Sequence, residues 1–158
     1  MFDFIVFDLE TTGLNKHTDS ITEIGAVLFD RSSFSFYTFE RYNPGREYLS
    51  ELNNLIKRSK IVIGHNVVRF DIPFLFEKLK RAGVRPEKIK KTYDTLTAEP
   101  KQKRGRTLSV LAEKYRIKED CRFHTAMCDA FVTTRLYLKQ SKRISLERLL
   151  MKKDCKKL

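Results

Sequence analysis

The stretch that decides the fold is F-D-F-I-V-F-D-L-E-T-T-G-L, residues 2–14. From Phe2 to Leu9 it consists mostly of large apolar and β-branched residues, which predicts a buried central strand. Acids inside such a run are costly to bury unless something compensates their charge. Because side chains alternate between the faces of a strand, Asp8 and Glu10 point to the same side. With the Thr-Thr-Gly turn that follows, this pair indicates either a site for hard divalent cations or a strand end whose acids reach solvent.

The length and hydropathy of the chain bound its class. A chain of 158 residues that is 41% hydrophobic fits one domain, which buries roughly two thirds of its unfolded surface. No segment approaches the ~20 continuous apolar residues that a membrane span needs. The N-terminus also lacks the basic region and cleavage site of a signal peptide. We therefore expect a soluble, cytoplasmic protein with no membrane partner.

The charge balance points to a polyanionic partner. Lys and Arg number 32 against 20 Asp and Glu, which gives a net charge of +12. Such a balance favours nucleic acid through neutralisation of phosphates, and the alternative is a lysine-rich solubilising surface. Nucleic acid is favoured because the acids concentrate in motifs while the bases gather in loops and the tail. The sequence carries no signal for an oligomeric state.

The three cysteines are an odd number and do not resemble a disulfide framework. Cys121, His124 and Cys128 have the spacing C-x2-H-x3-C, which admits a zinc site. Structural zinc sites have four ligands, and only Asp129 or the distant Cys155 is available as the fourth. Ordinary buried thiols are therefore the favoured interpretation.

Hydrophobic periodicity predicts the other secondary-structure elements. Alternating β-forming residues predict strands over 20–30 and 34–42, which form an antiparallel meander with the first strand. A short apolar run at 61–64 predicts a buried parallel strand, and 92–96 is a weaker strand candidate. Helical spacing predicts helices at 49–56, 71–81, 108–115, 125–139 and 144–153.

This order of elements predicts an α/β fold, with a mixed five-stranded sheet flanked by helices. The sheet combines the antiparallel meander with parallel strands. Residues 1–140 form the main domain in this prediction. Residues 141–158 add a short helix and a basic, frayed tail that extends it.

Two further acids stand where helices are predicted to begin. Asp71 follows N-V-V-R-F at the start of the helix 71–81, and taken alone it is best interpreted as a capping residue. Asp129 lies in the first turn of a later helix, where an acid complements the helix dipole. His124 lies just before that helix, on backbone expected to be more mobile.

Three motifs therefore follow one another along the chain: Asp8-x-Glu10, Asn66-x3-Phe70-Asp71 and His124-x4-Asp129. In order, spacing and element context they resemble the motifs of the DEDDh 3′→5′ exonucleases, across about residues 3–140. The resemblance is strongest to the epsilon-subunit-like proofreading exonucleases of DNA polymerase III, whose first strand ends D-x-E-T-T-G.

The resemblance implies a ribonuclease-H-like fold and a metal-dependent site. Two divalent metal ions, Mg²⁺ or Mn²⁺, would be held by four carboxylates. These are Asp8, Glu10, Asp71 and Asp129. It further implies that His124 is the general base, and hard oxygen ligands suit these ions better than zinc.

Substrate-binding residues are implied in the same way. Thr11 would lie near the terminal nucleotide, and His65 and Asn66 would support the site without catalysing. Leu14 and Phe70 are candidates to stack against or wedge bases, while core packing is an equal alternative for Phe70.

Two other stretches bear on the resemblance. The residues Asp94-Thr95-Leu96 resemble a D-T-L stretch usual in the family and are interpreted as structural. Epsilon-like enzymes usually have a longer, histidine-containing stretch after the third strand that touches substrate, whereas residues 43–60 contain no histidine. This departure weakens the inference of polymerase-linked proofreading more than that of exonuclease chemistry.

The expected activity is stepwise release of 5′-mononucleotides from single-stranded 3′ ends, of DNA in preference to RNA. The expected role is proofreading or repair, and a DNA polymerase is a candidate partner. Three alternatives stay open. One is an RNA-directed exonuclease of the oligoribonuclease kind, and another is a non-catalytic nucleic-acid-binding or polymerase-docking module. The third is a small zinc-binding module around Cys121. Basic candidates for contact with the nucleic-acid backbone are Lys101, Lys103, Arg104, Arg106, Lys139, Lys142 and Arg143.

Overall fold

A computed structural model describes residues 1–100, 105–118, 121, 124–151 and 155–158. Within these residues the chain forms one sheet with helices on both faces. The strands are β1 (Phe4–Thr11), β2 (Ile21–Asp30), β3 (Ser35–Tyr42), β4 (Val62–Gly64), β5 (Thr92–Asp94) and β6 (Lys156–Lys157). The helices are α1 (Arg46–Lys57), α2 (Asp71–Arg81), α3 (Leu108–Lys114), α4 (Ala126–Gln140) and α5 (Ile144–Met151). In the described part of the chain, no helix is both long enough and apolar enough to cross a membrane.

The sheet has the strand order β5-β4-β1-β2-β3-β6. β1, β2 and β3 pair antiparallel in sequence order. β4 lies parallel to β1 and β5 parallel to β4. The predicted α/β class and the mixed sheet with an antiparallel meander are therefore confirmed.

The described sheet has six strands rather than the predicted five, because the end of the chain adds β6. Lys156 and Lys157 pair in parallel with Tyr37 and Thr38 of β3, and the Leu158 amide donates to the Thr38 carbonyl at 2.9 Å. An edge strand such as β3 exposes unpaired amides and carbonyls, which the tail satisfies here. The prediction of a frayed tail was therefore wrong for residues 156–158.

β1 is buried on both of its faces, which explains its continuous apolar sequence. Ile5, Phe7 and Leu9 belong to a core that takes its partners from α1 and α2. Phe4 and Val6 belong to a second core on the opposite face, built with α4 and α5. Sandwiched in this way, β1 is a rigid base for the acids at its C-terminal end.

The cysteines depart from the sequence interpretation, because Cys121 and Cys128 form a disulfide. Their Cα atoms lie 5.8 Å apart, a separation that a disulfide spans. The residue spacing alone does not reveal that these two side chains lie close enough to bond. Because the two sulfur atoms are bonded to each other, neither remains as a thiolate for the zinc site considered above. Cys155 is not part of this disulfide and packs against the core that contains Phe4.

Candidate active site

The first acid pair stands at the C-terminal end of β1. Asp8 and Glu10 are both partly buried and face the same side of the strand. On β2, Asp8 is paired with Gly25 and Glu10 with Glu23.

Asp71 approaches this pair from α2. It is only 3% exposed, and its Oδ1 accepts a hydrogen bond from the Leu9 amide at 3.0 Å. The N-cap position of α2 belongs to Phe70. The interpretation of Asp71 as a helix cap was therefore wrong, since its carboxylate is turned toward β1.

The third motif completes a close group of potential ligand atoms. One such atom each from Glu10, His124 and Asp129 lies within 4.8 Å of the others. The His124 amide donates to Asp129 Oδ1 at 3.4 Å, which ties the loop to the first turn of α4. His124 is exposed and has φ of 65°, in the left-handed region that residues other than glycine rarely adopt. Such strain is concentrated at functional sites.

The carboxylates repel one another when no cation is present. Burial raises the pKa of Asp8 well above its ordinary value, and four neighbouring carboxylates raise it further. These neighbours are Asp71, Asp129, Glu10 and Glu23. Burial likewise raises the pKa of Asp71 to about 8, even though the Leu9 amide acts against the shift. The pKa of Asp129 and that of Glu10 are also raised, chiefly by burial.

This donor set fits a hard divalent cation. Carboxylate oxygens are the ligands that Mg²⁺ and Mn²⁺ prefer, and cations here would relieve the repulsion that raises the carboxylate pKa values. Glu10 and Asp129 offer oxygens within one ligand sphere. Asp8 and Asp71 do not belong to this close group of ligand atoms, but their charges interact with its carboxylates.

The loop after β4 is held by hydrogen bonds to β5 and the turn after it. Asn66 has φ of 62°, and its amide donates to Asp94 Oδ1 at 2.9 Å. Val68 donates to the other carboxylate oxygen of Asp94 at 3.3 Å, so the D-T-L stretch acts structurally. His65 Nδ1 lies 3.0 Å from Thr95 Oγ1, and burial lowers the pKa of His65. His65 and Asn66 both line a groove of about 450 Å³.

The predicted base-contacting residues line a second groove, of about 390 Å³. Leu14, which is 85% exposed, and Phe70 both contribute to its wall. Phe70 also packs on Phe74, with ring centroids 5.5 Å apart, so it serves the core and the groove together. The Thr11 hydroxyl donates to the Gly13 carbonyl at 2.7 Å and shapes the turn between Glu10 and Leu14.

Arg106, one of the basic candidates, holds the protein together locally. Its guanidinium donates to the carbonyls of Leu96 at 2.9 Å and Glu99 at 2.7 Å. It also lines the groove beside His65. Its position is therefore set by these carbonyls before any ligand binds.

The other described basic candidates lie around the end of α4. Lys139 pairs with Glu147 at 3.2 Å, and Arg143 lies over the ring of Tyr137 at 5.7 Å. Lys142 is exposed. Outside the described residues are Lys101, Lys103 and Arg104.

Glu23 is the site residue that sequence reasoning missed. Its Oε2 accepts a hydrogen bond from the Ala126 amide at 3.1 Å, at the first residue of α4. The available signal was an acid inside I-T-E-I-G-A-V, an otherwise apolar strand sequence. Glu23 lies between the first and second motifs and belongs to neither of them.

Comparison with known proteins places these motifs in a family context. A family model described as Exonuclease (RNase_T) matches residues 5–42 and 38–137. A PolC-type DNA polymerase III from Caldanaerobacter subterraneus subsp. tengcongensis is 26% identical over 168 residues, covering 90% of this chain and 12% of that protein. DNA polymerase III subunit epsilon from Treponema pallidum is 33% identical over 116 residues, covering 57% of this chain and 53% of that protein. The chain thus spans about an eighth and about half of the lengths of these relatives.

Solved structures share the fold. E. coli Exonuclease I in complex with a 5cy-dT13 oligonucleotide superposes with a TM-score of 0.62 at 17% identity, covering 94% of this chain and 43% of that one. The zinc-bound form of the same enzyme with single-stranded DNA gives a TM-score of 0.64 at 16% identity, covering 94% and 42%. This likeness concerns the fold, which is ribonuclease-H-like.

Proposed function

This chain belongs to the RNase_T exonuclease family of DEDD-type phosphodiester hydrolases, and on that premise we propose that it removes 5′-mononucleotides stepwise from 3′ ends of DNA. The observation that carries the proposal is the group formed by Glu10, His124 and Asp129, whose ligand atoms lie within 4.8 Å of one another. Asp8 and Asp71 add their carboxylates to the same cluster. A binding module has no use for so many buried or partly buried, mutually repelling acids, because each costs stability when it is charged.

In this proposal the four acids Asp8, Glu10, Asp71 and Asp129 hold two divalent ions, Mg²⁺ or Mn²⁺. When bound, such ions activate water and stabilise negative charge on the phosphate and the leaving oxygen. Asp71 keeps its orientation because one of its oxygens is engaged by the Leu9 amide.

We assign His124 the role of general base. An imidazole nitrogen can accept a proton from water, and His124 is exposed within the close group of ligand atoms. The bond from its amide to Asp129 keeps the imidazole beside the metal-holding carboxylates. The side chain itself stays free to meet water.

The substrate in this proposal is a single-stranded 3′ end. Leu14 and Phe70 would receive the terminal bases in the groove of about 390 Å³, and Thr11 would lie near the terminal nucleotide. His65 and Asn66 would support the site from the groove of about 450 Å³. The net charge of +12 favours a phosphate backbone. The structural neighbour Exonuclease I was solved with a dT13 oligonucleotide, which supports DNA as the polymer.

We further propose that the activity serves DNA replication or repair, with a DNA polymerase as partner. The support is the match to DNA polymerase III proteins, which are a PolC-type enzyme and an epsilon subunit. A proofreading enzyme should remove a mispaired 3′-terminal nucleotide faster than a paired one. Digestion of primer–template duplexes that differ only in that pair measures this.

We also propose that residues 141–158 extend the domain of residues 1–140. Leu146 and Leu150 of α5 are buried in the core that contains Phe4. Arg135 of α4 is paired with Glu147 of α5 at 3.4 Å.

The deciding experiment is timed digestion of 5′-labelled single-stranded DNA and RNA of one sequence, with Mg²⁺, with Mn²⁺ and with chelator. We expect a metal-dependent ladder that shortens from the 3′ end of DNA and is absent in Asp8→Ala. Glu113→Ala, which removes an exposed acid of α3, is the matched control and should behave as the wild type. A ladder on RNA alone would favour the oligoribonuclease-like alternative, and no cleavage of either polymer would favour the binding module.

A further inference from the structure

Glu23 connects β1, which carries Glu10, to α4, which carries Asp129. It lies on β2 directly opposite Glu10 of β1, and its Oε2 accepts from the Ala126 amide of α4 at 3.1 Å. The first amides of a helix have no partner within the helix, and they carry the positive end of its dipole. A carboxylate is therefore a well-suited anchor for the start of α4.

The backbone next to Glu23 lies very close to the start of α4. Two residues further along the same face of β2 is Gly25, where a Cβ atom would lie 2.2 Å from the Ala126 carbonyl carbon. α4 thus begins in direct contact with the main chain of β2. The hydrogen bond to Glu23 and the close approach that the missing side chain of Gly25 permits together determine the position of the first turn of α4.

That first turn carries the third motif. Asp129 is on it, and the His124 amide is bonded to Asp129 at 3.4 Å. Glu10, on the other side of the group, is the cross-strand neighbour of Glu23. The separation between Glu10 and the pair His124–Asp129 therefore depends on the bond from Ala126 to Glu23.

We infer that Glu23 is a positioning residue that sets the spacing of the metal-holding group through its hydrogen bond to the Ala126 amide. This inference rests on the proposed exonuclease function. What the role needs is an acceptor oxygen at the end of a side chain of this length. The negative charge of Glu23 is not required, and it adds to the repulsion felt by Asp8 and Glu10.

Two conservative variants separate the effect of the length of the Glu23 side chain from the effect of its charge. Glu23→Gln keeps an acceptor oxygen at the same reach and loses the charge, whereas Glu23→Asp keeps the charge and is one methylene too short. We expect Glu23→Asp to lower kcat about tenfold to a hundredfold with KM for the oligonucleotide nearly unchanged, because misplacement by up to about 1 Å has effects of this size. We expect Glu23→Gln to stay within about threefold of the wild type.

A second readout is independent of turnover. Calorimetric titration of the metal-free protein with Mn²⁺ should show weaker binding for Glu23→Asp and binding at least as strong as the wild type for Glu23→Gln. Glu40→Ala, which removes an exposed acid from the neighbouring strand β3, is the control and should match the wild type in both assays.

The opposite pattern would overturn the inference. If Glu23→Asp retained turnover and Mn²⁺ binding while Glu23→Gln lost them, the charge of Glu23 would be what matters, as for a direct ligand. Equal, wild-type behaviour of both variants would remove Glu23 from the site. A wild-type protein that cleaves nothing would overturn the proposed function instead, and the Mn²⁺ titration would still decide the role of Glu23.

Discussion

Replacing Gly25 by alanine tests how closely the geometry of the site depends on the position of α4 against β2. The added Cβ would lie 2.2 Å from the Ala126 carbonyl carbon, 2.3 Å from its oxygen and 2.4 Å from the Met127 nitrogen. All three are main-chain atoms, so no side-chain rotation relieves the overlap. Because ordinary contacts begin at 3.4 Å, the first turn of α4 must move away from β2 by roughly 1 Å.

The size of the expected loss of turnover follows from the position of Asp129 on the first turn of α4. A displacement of about 1 Å at a catalytic group lowers turnover by about a hundredfold, which corresponds to roughly 2.7 kcal/mol of activation free energy. The same overlap should lower the free energy of unfolding by about 1–3 kcal/mol. Asp8, the cross-strand partner of Gly25, stays on β1 while His124 and Asp129 move with the helix.

The assay is the rate of 3′-end digestion of a labelled DNA oligonucleotide, measured with urea unfolding of the same preparation. Gly45→Ala is the matched control, since a Cβ at Gly45 meets nothing within 4 Å, and it should retain turnover. A Gly25→Ala protein with normal turnover would refute the claim that the position of α4 against β2 determines the geometry of the site. Lost turnover with unchanged Mn²⁺ binding would refute the claim that the metal-holding group moves.

Three further outcomes are expected. Asp8→Asn should abolish hydrolysis yet raise the melting temperature of the metal-free protein, because burial and neighbouring carboxylates already raise the pKa of Asp8; a lower melting temperature would contradict this. Since the pKa of Asp71 is raised from 3.8 to about 8, the native state binds more protons than the unfolded state between these values. Stability in chelator should therefore fall as the pH rises from about 5 to 8, while stabilisation by Mn²⁺ grows; chelator melts that improve with pH would refute the assignment. Reducing the Cys121–Cys128 disulfide removes the covalent link between Cys121 and α4, the helix that carries Asp129. It should lower kcat more than it changes KM, with up to about 2.5 kcal/mol of stability lost. Cys155→Ser is the control, and turnover indifferent to reductant would rule out the dependence.

Strong local patterns in the sequence were sufficient for much of the fold. The apolar run of β1 follows from burial on both faces, and α2 spans 71–81 as its periodicity predicts. The three motifs led to the family, because their acids and histidine stand at fixed places relative to strand ends and helix starts. Each of these signals lies within one element and its immediate flank.

Contacts between distant segments were not predictable in this way. Asp71 resembled a cap because its neighbours in sequence are a helix start, yet its partner is the Leu9 amide on β1. Lys156 and Lys157 resembled a frayed tail because only the exposed edge of β3 makes them a strand. The disulfide between Cys121 and Cys128 depends on the 5.8 Å approach of their Cα atoms, which residue spacing does not encode.

Local patterns in the sequence predicted the elements from β1 to α5, the faces that they bury and the carboxylates that we propose hold a cation. Only the tertiary structure decided that Glu23 would anchor α4 and that Gly25 would leave room for it. The physical reason is that hydrophobic periodicity and capping are set by residues a few positions apart. The seating of one element on another depends on distances between main-chain atoms, which have no counterpart in local sequence.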